Sequence, residues 1–270
     1  MINVEPTQTR YLHVHHPEWG AEWLLQFPES ILSVTGWVMD YQGIIPEWKP
    51  SGCGGLGYEW ATDNAYLLEQ ERIKQTDLNQ ADKKFVEGIS VSASIVPEDS
   101  SLSLSLALTN TSRQRFERVF CDGGCFQAVS PQFGGHNEIA RTYVMTGGMM
   151  QSLDMFERTV LQRCTYHCDA ADYNRPPTND GEWFWGRSMM APDYPAILGM
   201  VSVDGARAVA YGYEGATAVS ANSDEHHHCM HSRPFFGDIE PGETVVRRGH
   251  ILFGDRIDLL GSRLRGMLCP

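Results

Sequence analysis

The stretch Gly88-Ile-Ser-Val-Ser-Ala-Ser-Ile-Val-Pro-Glu-Asp-Ser-Ser-Leu-Ser-Leu-Ser-Leu-Ala-Leu108 decides the fold. Ile89, Val91, Ala93 and Ile95 alternate with Ser90, Ser92 and Ser94. After Pro97-Glu98-Asp99-Ser100-Ser101, the residues Leu102, Leu104, Leu106 and Leu108 alternate with Ser103, Ser105 and Ala107. Side chains of a strand point to opposite faces in turn, so this is a β-hairpin with one buried face.

Outward from the hairpin, Asn110-Thr111-Ser112 breaks the run as turn chemistry and Phe116 to Phe120 resumes as a strand. Further strands are expected over 11–15, 31–41, 140–146, 158–166, 196–203, 206–213, 216–221, 226–231 and 244–253. Asp204-Gly205, between 196–203 and 206–213, suits a tight hairpin turn. Helical signal is scant: residues 62–76 hold the best helix formers, with Asp63 as cap, and one or two short helices are expected. The 26 glycines and 14 prolines are spread throughout, with no repeat, linker or composition shift. The expected architecture is all-β, a single antiparallel β-sandwich domain over residues 1–270.

A formal charge of -13 and a pI near 5.1, with basic residues scattered apart from Arg247-Arg248 and Arg256, Arg263 and Arg265, argue against nucleic acid and anionic membranes as partners. The start, Met1-Ile-Asn-Val-Glu-Pro6, has no basic segment leading into an apolar one, and no apolar run approaches the roughly eighteen residues of a membrane span, so a cytoplasmic location is expected. Seven cysteines, an odd number, read as reduced thiols. Cys121 with Cys125 and Cys164 with Cys168, with His167 inside the second pair, can be drawn as a split zinc site, although the spacing is a weak signal.

Ligand chemistry concentrates in His226-His227-His228-Cys229-Met230-His231. On a strand, His227, Cys229 and His231 share one face, and His226, His228 and Met230 the other. The first set could hold zinc, copper or iron, together with His13 or His15 from His13-Val14-His15. Alternatively one histidine acts as general acid or base, His231 first, with His227 assisting; His136, in the glycine-rich Phe133-Gly-Gly-His136-Asn-Glu138, is a further candidate. A solvated strand-edge cluster with Cys229 in the core is the third possibility. In Glu182-Trp-Phe-Trp-Gly-Arg187, Trp183 and Trp185 share a face and could stack on a sugar ring, with Glu182 and Arg187 as hydroxyl partners and Arg233 to neutralise an anionic group. Ser51-Gly-Cys-Gly-Gly-Leu-Gly57 lacks the features of a phosphate loop, and no Gly-x-Ser-x-Gly or His-Glu-x-x-His motif occurs.

Two stretches resemble the galactose mutarotase-like β-sandwich superfamily. Leu104-Ser-Leu-Ala-Leu-Thr-Asn-Thr-Ser112 resembles its strand ending in Asn-Thr-Gly. Cys229-Met-His-Ser232, followed by Ile239-Glu-Pro-Gly-Glu-Thr244 and Val245-Val-Arg-Arg-Gly-His-Ile-Leu-Phe253, resembles its last strands, where a catalytic Glu precedes a Pro-Gly-Glu turn. The chain departs from the aldose 1-epimerases at both catalytic positions. Phe120-Cys-Asp-Gly-Gly-Cys-Phe126 stands in place of their Asn-His-x-Tyr-Phe-Asn run, and His231 or its neighbours in place of the Glu. The resemblance implies a carbohydrate- or sugar-acid-recognising sandwich, an epimerase- or lyase-type enzyme with the histidine run on its concave sugar-binding surface. A mononuclear metalloenzyme with His/Cys ligands, zinc for example, and a non-catalytic carbohydrate-binding protein are the alternatives. In each case the partner is a small molecule or oligosaccharide.

Overall fold

A computed structural model describes residues 1–40, 44–75, 83–134, 138–157, 164–168, 186–187, 191–222 and 228–269, with the backbone alone described for 53, 138, 164–168 and 186–187. Two antiparallel sheets enclose one continuous apolar core. Among the described residues the first sheet has eleven strands. Eight are hydrogen-bonded in succession, β1 (Asn3–Pro6), β2 (Leu12–His16), β3 (Ala21–Gln26), β11 (Cys125–Ala128), β19 (His228–Ile239), β10 (Phe116–Asp122), β4 (Ser30–Ser33) and β5 (Gly36–Met39), with β11 and β10 on one edge of β19. On the other edge of β19 runs β18 (Ala216–Asn222), which pairs with β14 (Cys164–Cys168), and β14 pairs with β15 (Gly186–Arg187).

The second sheet runs β13 (Met149–Ser152), β12 (Thr142–Thr146), β16 (Ile197–Val201), β17 (Ala208–Tyr213), β20 (Thr244–Gly254), β9 (Ser101–Asn110), β8 (Ile89–Pro97), β7 (Leu56–Ala61) and β6 (Lys49–Pro50). The serine-leucine hairpin is its β8–β9 pair, with Val91 opposite Leu108, Ala93 opposite Leu106 and Ile95 opposite Leu104. All six are buried in the core, as alternation requires. Asp204-Gly205 turns the chain between β16 and β17, with Gly205 at φ +73°, a conformation glycine adopts without a steric cost.

The helix α1 (Asn64–Lys74) starts where expected, its cap made by Asp63, which accepts from the Tyr66 N–H at 2.9 Å. A second helix, α3 (Ile257–Leu268), was not anticipated; Leu260, Leu264 and Leu268 bury against Met145, Ile197, Ala208, Ala210 and Leu252 on the outer face of the second sheet. Residues 140–146 divide between a helical turn, α2 (Glu138–Arg141), and β12, rather than forming one strand. No described helix is long and apolar enough to cross a membrane.

Candidate functional site

The central strand of the first sheet, β19, carries the histidine run. Its His228 and Met230 face the core, where His228 Nδ1 lies 2.9 Å from the Phe133 carbonyl oxygen, and Cys229 and His231 take the opposite face. The two strands on one side of β19 are a broken line. β11 pairs with its first half, Cys125 opposite His231, and β10 with its second half, Phe120 opposite Phe235. Between them lie Gly123 and Gly124.

The next line breaks at the same level, because β3 pairs with β11 and β4 with β10. The connection from β3 to β4 contains a cis Phe27–Pro28 bond and Glu29. Two adjacent breaks make a seam across the sheet, and Glu29 lies in it. Its N–H donates to the Asp122 carbonyl at 3.1 Å, and its Oε2 meets His231 Nε2 at 2.9 Å.

The seam is held from beneath. Tyr213 of β17 crosses the core and donates from its hydroxyl to the Gly123 carbonyl at 2.9 Å. Its ring lies against two glycines: a Cβ at Gly123 would come within 2.6 Å of it, and one at Gly249 within 2.4 Å. Tyr211 donates to the Gly124 carbonyl at 3.4 Å. Only residues without side chains admit the two rings at this depth.

Above the seam the polar groups pair closely. The His231 side chain is 7% exposed and that of Glu29 21%, so Glu29 is the more accessible member of the pair. Burial, the largest single influence, works against a charged imidazole, yet the Glu29 carboxylate and the Cys125 sulfur together outweigh it and hold His231 well above its ordinary range. A contact with Cys229 and complete burial push the Cys125 thiol up, and burial likewise raises Cys121. Neutral buried thiols are poor nucleophiles, so cysteine-based covalent catalysis has no support here. Arg233 lies 2.5 Å from Asp122, and Ser30 donates to the other Asp122 oxygen at 2.9 Å. The phenol of Tyr11 is raised first by burial and then by Cys125, against a lowering by Arg10, with smaller contributions from Glu29 and Cys229.

This geometry revises several expectations. His13 shares a crosswise row with Cys229, but through Leu24 and Gln127, so three strand intervals of about 4.8 Å separate them. His15 lies on the same strand, β2, opposite Glu22 of β3. Neither can share a metal with the 229–231 segment. The C-x3-C pair of Cys121 and Cys125 also diverges, Cys121 packing in the core and Cys125 facing the seam. Arg233 is compensated by Asp122 and offers no uncompensated charge to an anionic substrate. His136, Glu182, Trp183, Trp185 and His227 lie outside the described residues, and Arg187 is described by its backbone alone in β15.

Sequence reasoning missed Glu29 and Asp122. Cys125 was noted for its spacing to Cys121 and not for its true neighbours. Together Cys125, Cys229 and His231 bring one ligand atom each within 4.8 Å of one another, all three residues being buried.

No protein-family model matches the chain, and no curated protein matches it. Solved structures do. The Slr1438 protein of Synechocystis sp. PCC 6803 superposes with a TM-score of 0.51 at 9% identity, over 95% of this chain and 96% of that one. A galactose mutarotase-like protein of Lactobacillus casei ATCC 334 gives 0.51 at 7% identity, over 94% and 100%. The chain has the galactose mutarotase-like β-sandwich fold.

Proposed function

We propose that this protein binds a carbohydrate on the outer face of its eleven-stranded sheet and acts on it as an enzyme of epimerase or lyase type, through the Glu29–His231 pair. The supporting observation is the 2.9 Å contact between a partly accessible carboxylate and a buried imidazole at the seam. Glu29 is the group a ligand would reach first, and a carboxylate there can take a proton from a sugar hydroxyl or from a carbon beside a carbonyl. His231 stands behind it, orients it and supplies a compensating positive charge.

The Arg233–Asp122 pair favours a neutral, hydroxyl-rich ligand over a sugar acid, because its charges are already matched within 2.5 Å and remain as hydrogen-bonding groups. On sequence grounds Trp183 and Trp185 would supply the faces on which a pyranose ring stacks. The likeness to a galactose mutarotase-like protein supports the carbohydrate class by analogy of fold.

The test is a panel of neutral aldoses and matching uronates, read by ligand-induced stabilisation and by NMR detection of epimer or elimination product. Neutral sugars are expected to raise the melting temperature. Glu29→Gln is expected to lower turnover by about 10²–10⁴-fold with the fold intact. Failure of every sugar to bind, or undiminished turnover in Glu29→Gln, overturns the reading.

A further inference from the structure

The geometry points to a binding site for a soft, filled-shell metal ion at Cys125, Cys229 and His231, with Zn²⁺ as the ion to test first. This goes beyond the carbohydrate reading and does not depend on it. Cys125 lies directly across from His231 on the paired strand, and Cys229 is two residues before His231, so all three side chains emerge on one face of two hydrogen-bonded strands. Strands hold such a set more rigidly than loops do.

The distances suit an ion. Cys229 Sγ is 3.9 Å from each ring nitrogen of His231. A tetrahedral zinc with Zn–S near 2.3 Å and Zn–N near 2.1 Å requires a sulfur-to-nitrogen spacing of about 3.6 Å, so a contraction of a few tenths of an ångström closes that edge. Cys125 completes a triangle in which every ligand atom lies within 4.8 Å of the others.

A disulfide is the competing use of the two thiols, and the register opposes it. Cys125 pairs with His231 and Cys229 with Gln127, so the cysteines are diagonal neighbours. Diagonal Cα atoms are about 7–8 Å apart, beyond the span a disulfide bridges without backbone movement.

The surroundings add a second argument. His231 Nε2 is engaged by Glu29 at 2.9 Å, which leaves Nδ1 for an ion and reproduces the carboxylate–histidine–metal relay that orients ligating imidazoles. Two thiolates and a neutral imidazole balance a divalent ion, and the one remaining negative charge sits on the partly accessible Glu29 carboxylate. Binding forms two metal–sulfur bonds and one metal–nitrogen bond, and releases both thiol protons, plus the imidazolium proton where it is present, to solvent. Three protein ligands leave a fourth position open.

Cobalt(II) titration of chelator-treated protein, followed by the thiolate-to-cobalt charge-transfer absorption and then displaced with Zn²⁺, tests the site. One equivalent is expected to bind. The band should vanish in Cys125→Ser and in Cys229→Ser, weaken in His231→Gln, and persist in Cys269→Ser, whose thiol is exposed. Less than about a tenth of an equivalent bound to the native protein, or an unchanged band in the Cys125→Ser/Cys229→Ser double variant, overturns the proposal. If the serine variants fail to fold by circular dichroism, proton release by the native protein decides: each Zn²⁺ bound should release at least two protons, and binding with no proton release overturns it. Protein that gives the band but binds no sugar overturns only the carbohydrate reading. Protein that turns over sugar without the band overturns only the metal site.

Discussion

Glu29 and His231 meet at 2.9 Å because two neighbouring strand lines break at the same level, one at Gly123-Gly124 and the other between β3 and β4. In an unbroken sheet Glu29 would be one more ladder residue. At the seam its backbone is tied to Asp122 and its side chain is directed along the sheet face to the central strand.

The pair should therefore behave as a unit. His231→Ala leaves a partly buried carboxylate without its partner and is expected to destabilise by about 1–3 kcal/mol, the lower end reflecting the residual exposure of Glu29. His231→Ala and Glu29→Gln should each impair turnover, and the double variant should lose little more than either alone. Urea denaturation and turnover measured on all three variants check this; fully additive losses would separate the two roles.

Asp122→Ala removes the carboxylate beside the Arg233 guanidinium, whose side chain is only 9% exposed, at the same seam. Removing one member of a buried ion pair costs about 3 kcal/mol, and replacing both members by apolar residues recovers much of it. Chemical denaturation of Asp122→Ala and of Asp122→Leu/Arg233→Met should show the single variant as the less stable.

Gly123→Ala is expected to lower stability by about 1–3 kcal/mol, since the added methyl meets the Tyr213 ring at 2.6 Å and the Ser232 carbonyl oxygen at 2.8 Å. Because the collision displaces the seam, turnover should fall as well, although the site of change touches no ligand. Gly20→Ala, which meets nothing within 4 Å but sits at φ +60°, should lower stability through backbone strain and leave turnover of the folded protein unchanged.

His16, 6% exposed and stacked on Trp19 at 3.9 Å between ring centroids, has its ionisation pushed below the ordinary histidine range by burial. The unfolded chain then binds the proton more readily, so stability falls as pH drops from about 6.5 through the depressed value and is retained above it. His16→Phe should flatten that dependence, seen as a stability difference from the native protein that shifts in favour of the variant between pH 7.5 and pH 5. An identical pH slope in both proteins would exclude His16 as its source.

The hairpin at 88–108 was legible because period two and burial coincide residue by residue along β8 and β9. The alternation of the histidine run was legible for the same reason. Strand order was not. Nothing local reveals that β3 and β11 lie between β2 and β19, and this order alone separates His13 from Cys229. Helix α3 was obscured by Gly261 and Gly266, poor helix formers; Gly261 is required by contact, since a Cβ there would meet Met150 at 2.5 Å. Glu29 carried no signal, because its role comes from a coincidence of breaks in separate strands.

Tyr213 spans the sandwich between Gly249 on its own sheet and Gly123 on the other. The three positions share one volume, so mutational drift cannot treat them separately. In diverging descendants of this chain, a larger residue at 123 or 249 should be accompanied by a smaller one at 213, a correlated substitution linking the outer-face site to a strand of the opposite sheet.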